Sequence, residues 1–168
     1  THGIAPWHST PRGVMIMERS LPQLLPIKVC NMEELAVDYT FLPGIDGIHA
    51  NLTNKDITYE KTKTIAGEWK RGQPYTYNFN IASVSGGASG LLLYSVRARA
   101  RGTSSWTYSS GRVFVTDIAL TAKFSSDEVL VFARSLKDNR PVAEASVYIG
   151  GVKRGKTGPE GLARIRGA

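Results

Sequence analysis

Gly150–Thr157 is the segment whose spacing comes nearest to a motif with known chemistry. It satisfies the P-loop pattern G-x-x-x-x-G-K-[ST], in which Lys156 and Thr157 would contact nucleotide phosphates and magnesium. A P-loop also needs a helix that starts at the lysine, because the amides of its first turn hold the phosphates. The residues that follow, Gly158–Gly161, include two glycines and a proline, which break such a helix. We therefore expect a hairpin turn here and no cofactor.

Cys30 is the only cysteine in the chain, which excludes an intramolecular disulfide and a metal site built from several cysteines. A thioester of the C-x-E-Q type would link this thiol to a glutamine three residues later, but that position holds Glu33. The sequence therefore predicts no thioester. We interpret Cys30 as a small buried hydrophobic residue.

Other candidates for catalysis or metal binding have little support from spacing. His2, His8 and His49 fall in an expected tail and a loop, without a metal-ligand pattern or a carboxylate cluster. Ser85–Gly90 does not match the G-x-S-x-G pattern of a nucleophile elbow and is interpreted as a flexible hairpin. We predict no catalytic, cofactor-binding or metal-binding residue, and expect that the chain is not an enzyme.

Two sets of side chains could bind a partner. Arg97, Arg99 and Arg101 alternate along one strand and could hold phosphate, acidic lipid or an acidic protein, or could form a solvated face that discourages aggregation. Trp7, Trp69 and Trp106 could stack on sugars, but their dispersal favours packing in the core or between modules.

The net charge of +7 does not by itself indicate a nucleic-acid partner. The excess of lysine and arginine is spread over both parts of the chain, whereas nucleic-acid binding requires a concentrated basic stripe. We expect a basic, solvated surface. No apolar run approaches the roughly 20 residues that span a bilayer, so membrane association would need an anchor outside this chain.

The elements that position these residues are predicted to be strands. Leu35, Val37, Tyr39 and Phe41 alternate with smaller or polar residues, as expected for a strand with one buried face. The same alternation recurs in segments 75–81 and 94–100, and glycine, proline and asparagine turns separate the segments. This pattern predicts an all-β chain of tandem antiparallel sandwich domains.

The predicted domains follow from a change in composition. We expect a tail or leader at residues 1–12, one sandwich at 13–112, and a second from 113, where a stretch rich in glycine, serine and threonine gives way to Val113–Val115. Segment 113–168 is short for a sandwich of about seven strands. The second sandwich is therefore predicted to be incomplete, with an exposed sheet edge that needs a partner.

Three segments, taken in their order along the chain, resemble a known family. Val113–Lys123 contains a Val-Thr-Asp strand, Leu130–Leu136 ends in Ser-Leu, and Pro141–Val147 reads P-V-x-x-A-x-V, followed by Thr157 four residues before Gly161. This order resembles a macroglobulin-type domain of bacterial alpha-2-macroglobulins. The earlier stretch 25–39 is similar to the opening strand pair of another such domain.

The resemblance implies immunoglobulin- or fibronectin-like sandwiches in a large periplasmic, usually membrane-anchored protein that inhibits proteases by entrapment. The implied partners are target proteases, the remaining domains of the parent protein, and a protein at the exposed sheet edge. No functional residue of the family can be transferred to this sequence. The alternative is a cell-surface adhesion or carbohydrate-binding sandwich, which requires an exposed platform built from some of the tryptophans.

Overall fold

The computed structural model describes residues 4–44, 58–67 and 69–167. The chain divides into two compact units, Thr1–Val115 and Thr116–Ala168. The elements of the first unit are β1 (Trp7–Ser9), β2 (Gly13–Glu18), β3 (Leu24–Cys30), β4 (Met32–Pro43), β5 (Lys61–Ile65), β6 (Tyr75–Asn80), α1 (Ala82–Ser85), β7 (Gly90–Ala100) and β8 (Trp106–Thr116). Those of the second are β9 (Ile118–Phe124), β10 (Glu128–Ser135), β11 (Ser146–Ile149), β12 (Val152–Lys156) and β13 (Leu162–Arg166).

The first unit is a sandwich of two sheets. One sheet has the order β2-β8-β7-β4-β5 and the other β1-β3-β6. Their facing side chains form one core, to which Leu25 and Ile27 contribute from β3, and Val37 and Val96 from β4 and β7. The fold is thus all-β and antiparallel, as predicted.

The alternation along β4 and β7 explains this core. Val37 lies opposite Val96 and Leu35 opposite Ala98 in the antiparallel register, and all four are fully buried. Residues directly opposite in an antiparallel pair share a face, so the apolar positions of both strands point into the sandwich together. The intervening positions, such as Arg97, point away from the core.

The second unit has a smaller core that covers only part of its main sheet. Its three-stranded sheet has the order β13-β10-β9, and β11 and β12 form a two-stranded sheet. Val129 and Val131 of β10 are buried and pack with Val147 of β11. Phe124 lies opposite Val129 in the register and so shares its face, yet it is 71% exposed. Leu120 on the same face of β9 is 70% exposed.

A glycine closes the turn before β13. Gly161 has a φ of +70°, and a Cβ there would overlap the carbonyl oxygen of Ala133 and lie 3.2 Å from Cα of Pro141. The backbones meet closely because the N–H of Ala133 donates to the carbonyl of Gly161 at 2.8 Å. Both the conformation and the space therefore require glycine at this position.

The division between the units lies three residues later than predicted. Val113 was expected to begin the second sandwich, but it lies in β8 and is buried in the core of the first unit. Much of the preceding stretch rich in glycine, serine and threonine belongs to the same strand, because Trp106–Val115 pairs with β7. Its serines and threonines occupy a strand between two neighbours, β7 and β2.

Two further sequence interpretations need correction. Residues 1–12 are not simply a tail, because β1 pairs with β3 in the register Trp7 to Cys30 and Ser9 to Lys28. Ser85–Gly90 is not a hairpin between neighbouring strands: it begins at the last residue of the one-turn helix α1 and leads to β7, so that helix and loop connect β6 in one sheet to β7 in the other. No helix in the described part of the chain is long and apolar enough to cross a membrane.

Candidate functional site

The outer face of the five-stranded sheet carries two of the predicted arginines, Arg97 and Arg99, and each pairs with a carboxylate of the chain. Nε of Arg97 lies 3.1 Å from Oδ2 of Asp38, as an ion pair without hydrogen-bond geometry. Nη1 of Arg99 lies 3.3 Å from Oε2 of Glu33, and its other terminal nitrogen pairs with Glu34. The hydrogen bond to Glu34 raises the pKa of Arg99. All three carboxylates lie in β4, which pairs directly with β7.

Trp106 completes this arrangement from β8. The guanidinium carbons of Arg97 and Arg99 lie 5.5 Å and 5.9 Å from the centre of its ring, within the range of cation–π attraction. The two arginines are therefore held between carboxylates and an aromatic ring. We define this set, Glu33, Glu34, Asp38, Arg97, Arg99 and Trp106, as the arginine–tryptophan face.

Arg101 does not continue the predicted ladder of three. β7 ends at Ala100, and Arg101 lies in the turn that follows, where Nη2 donates to the carbonyl of Trp69 at 3.4 Å. The strand alternation that aligns Arg97 with Arg99 stops one residue before it. The ladder thus consists of two arginines whose charges are compensated by β4.

A second polar cluster links β1 to β8 and was not found from the sequence. Nε2 of His8 is 3.0 Å from Oγ of Ser109, and its Nδ1 is 2.9 Å from Oγ1 of Thr107. Oγ1 of Thr10 also donates to Ser109 at 3.0 Å. The partners are about a hundred residues apart in sequence, so neither spacing nor composition could have indicated them.

One arrangement of protons satisfies every bond in this cluster. Thr107 donates to the carbonyl of Ala98 at 3.2 Å, so its oxygen is left to accept from Nδ1 of His8. Nε2 then accepts from the hydroxyl of Ser109. Burial lowers the pKa of His8, which favours this neutral imidazole. The third group is a hydroxyl instead of the carboxylate that would stabilise an imidazolium during nucleophilic catalysis, so the cluster fits a structural link between strands.

The segment that matches the P-loop pattern, Gly150–Thr157, forms part of a β-hairpin. Gly150 and Gly151 have φ values of 57° and 80° and turn the chain between β11 and β12. Lys156 lies in β12 and forms an ion pair of 2.9 Å with Glu144, and Thr157 is buried. No helix begins at the lysine, and the segment forms the predicted hairpin.

The tryptophans do not come together as one exposed platform. Trp69 is buried in the core of the first unit, and Trp7 and Trp106 are half-buried on β1 and β8.

The remaining candidate residues also lack a shared site. Cys30 is buried and free. His2 and His49 lie outside the described residues. Within those residues, no three histidine, cysteine, aspartate or glutamate side chains form a group that could hold a metal ion.

Comparison with known proteins identifies this fold. A crystal structure of native alpha-2-macroglobulin from Escherichia coli spanning domains NIE-MG1 superposes with a TM-score of 0.67 at 11% identity, covering 100% of this chain and 90% of that one. A structure of the same protein spanning MG0-NIE-MG1 gives 0.63 at 13% identity, covering 97% of this chain and 58% of that one. The fold is macroglobulin-like. No protein-family model and no curated protein sequence matches the chain.

The macroglobulin-like fold accounts for the segments that carried the resemblance. The Val-Thr-Asp segment ends β8 and leads into β9, and Leu130–Leu136 covers most of β10. Pro141 forms an isolated bridge with Arg134 before the chain enters β11. The residues of the P-loop pattern therefore form the β11–β12 hairpin of this macroglobulin-like fold.

Proposed function

We propose that this chain supplies structural and interaction modules of a bacterial alpha-2-macroglobulin-like protein that inhibits proteases by entrapment in the periplasm. The observation that carries the proposal is the structural match to a fragment of one such protein, which covers 100% of this chain and so includes residues of both units. A likeness confined to one sandwich would be weaker support, because unrelated functions share single sandwich folds.

The polar groups of the chain support a scaffold role over an enzymatic one. In the arginine–tryptophan face, the arginines pair with carboxylates of the same chain. In the His8 cluster, the hydrogen bonds join β1 to β8. Lys156 on β12 forms an ion pair with Glu144, which lies in the turn before β11. The groups that most resemble chemical machinery thus serve local structure, and in this proposal the chain is not itself an enzyme.

The exposed apolar face of β9 supports the proposal that another protein segment covers the second unit. Leu120 and Phe124 continue the buried face of Val129 and Val131 into solvent. Apolar surface of this kind favours covering by another protein segment. We assign that role to the remaining domains of the parent protein, and an anchor outside this chain would hold the protein at the inner membrane.

The adhesion and carbohydrate-binding alternative has lost part of its support. Its platform cannot use Trp69, which lies in the core, and the ring of Trp106 faces two guanidinium groups. Trp7 is half-buried on β1, and a single half-buried ring is a small surface for stacking on a sugar.

The proposal is tested by mixing the full-length protein that contains this chain with several proteases of different specificity. Entrapment blocks access of large substrates while small substrates still diffuse to the protease. The expected result is loss of cleavage of a large protein substrate with retained cleavage of a short chromogenic peptide. Unchanged cleavage of both substrates by every protease would contradict entrapment, and recovery of the protein from the cytoplasmic fraction would contradict the periplasmic location.

A further inference from the structure

The two edges of the five-stranded sheet differ sharply in chemistry. β5 forms one edge, and its residues Lys61–Thr64 alternate lysine and threonine and are all exposed. Lysine on an edge strand discourages the addition of another strand, because pairing would bury its charge. This edge of the sheet is therefore protected against association.

β2 forms the other edge and lacks such protection. Its only neighbour among the described strands is β8. Met15 and Met17 pack against the core, whereas Val14 and Ile16 point outward and are 60% and 65% exposed. An edge strand that is apolar on both faces presents unpaired backbone groups and hydrophobic side chains together.

The neighbouring strand β8 also carries an exposed aromatic side chain on its outer face. Tyr108 of β8 points away from the core, like its cross-strand partner Arg97, and is 67% exposed. Val14 and Ile16 lie on the same outer face of the adjoining strand, because the intervening methionines face the core. We define Val14 and Ile16 with the free edge of β2 as the β2 edge surface.

We propose that the β2 edge surface binds a second copy of this chain, with the two β2 strands paired antiparallel across a two-fold axis. The argument for this occupant is self-complementarity, which a two-fold interface requires. A register with Met15 opposite Met15 of the second copy places Val14 opposite Ile16 of the second copy, and the reverse. Residues directly opposite share a face, so both cores stay on one side of the joined sheet and both exposed apolar pairs on the other.

The charges at the ends of β2 agree with this register. Arg12 is exposed immediately before the strand, and Glu18 is its last residue. Antiparallel pairing brings the Arg12 end of each copy beside the Glu18 end of the other, which gives one attraction at each end of the paired strands. A parallel pairing would instead place like charges together. Arg19 lies beyond the strand in the following turn.

Sedimentation velocity of the whole 168-residue chain tests the proposal. The expected result is a concentration-dependent species with twice the mass of 18.3 kDa. Ile16→Lys and, separately, Val14→Lys should weaken dimerisation at least about tenfold, since each would set a charge against an apolar partner. Both side chains are exposed, so circular dichroism and the melting temperature should confirm that the variants remain folded.

Matched variants separate the β2 edge surface from other exposed apolar groups. Leu120→Lys on β9 and Thr62→Val on β5 should leave the dimer unchanged. Arg12→Glu should weaken it, and Arg12→Glu combined with Glu18→Arg should restore it, because the exchange re-creates both end contacts.

Two results would overturn the proposal. One is that the chain stays monomeric at concentrations up to about 100 µM, since even a weak dimer is populated at that concentration. Loss of the dimer through Leu120→Lys but not Ile16→Lys would also overturn it. The proposal stands independently of protease entrapment.

Discussion

Thr157 and Val142 are joined by a hydrogen bond of 2.6 Å, in which the hydroxyl of Thr157 donates to the carbonyl oxygen of Val142. The same hydroxyl oxygen accepts from the N–H of Ala145 at 3.0 Å. One buried side chain thereby ties the end of β12 to the segment that leads into β11. In a P-loop this residue would contact magnesium, but here its hydrogen-bonding capacity is used within the second unit.

Thr157→Val should destabilise the second unit by about 1–3 kcal/mol, because it keeps the shape of the side chain but leaves the carbonyl of Val142 and the N–H of Ala145 without a partner. Thr157→Ser, which retains the hydroxyl, should cost less. Lys156→Ala should change stability by no more than about 1 kcal/mol, since its ion pair is exposed. Urea unfolding measures all three. Equal stability of Thr157→Val and the wild type would contradict this role.

Gly161→Ala should destabilise the second unit more than Gly150→Ala. Both glycines have positive φ, so each substitution costs about 1–2 kcal/mol for the left-handed conformation. Only at Gly161 would the new methyl group meet backbone, that of Ala133 and Pro141, whereas Gly150 faces open space. Thermal unfolding of the two variants gives the comparison. Similar losses at both sites would show that the close approach at Gly161 does not limit stability.

Acidification should weaken the link between β1 and β8. Burial lowers the pKa of His8 below 6.5, so the unfolded chain binds the proton more readily than the folded one. The contribution of this group is fully present above about pH 6.5 and is lost as the pH falls through the lower pKa of the folded state. Unfolding free energies between pH 8 and pH 5 should therefore show a decline that His8→Gln reduces. An identical pH profile for this variant would count against the assignment.

Removal of both arginines should expose the ring of Trp106. We expect the variant Arg97→Ala with Arg99→Ala to shift the Trp106 emission to longer wavelength and to increase its quenching by acrylamide, because the guanidinium groups cover the ring. The contribution of Trp106 is isolated by subtracting spectra of Trp106→Phe proteins. Arg101→Ala is the control and should leave this signal unchanged. Quenching that the double substitution does not alter would mean that the arginines do not shield the ring.

Strands with strict alternation could be predicted from the sequence because the signal is local. Val37 and Val96 each sit in a run whose large apolar residues recur at every second position, and both runs became buried strands. The hairpin at Gly150 could also be predicted from the sequence, since the glycine and proline shortly after Lys156 exclude a helix there independently of the rest of the chain.

The elements that were missed depend on partners far away in sequence. β1 has only three residues, and the bonds from His8 to Thr107 and Ser109 that accompany it join positions about a hundred residues apart. Thr107 and Ser109 lie in a stretch rich in glycine, serine and threonine that shows no apolar alternation. The carboxylates that pair with Arg97 and Arg99 could not be assigned for the same reason, because only the β4–β7 register brings them together.

The most direct test of a macroglobulin-like β-scaffold is a set of interproton contacts from nuclear magnetic resonance of the isotopically labelled chain. The structure predicts cross-strand contacts between Val37 and Val96 in the first unit, and between Ser146 and Lys156 in the second. Helical contacts that begin at Lys156, with no cross-strand contact to Ser146, would contradict the account.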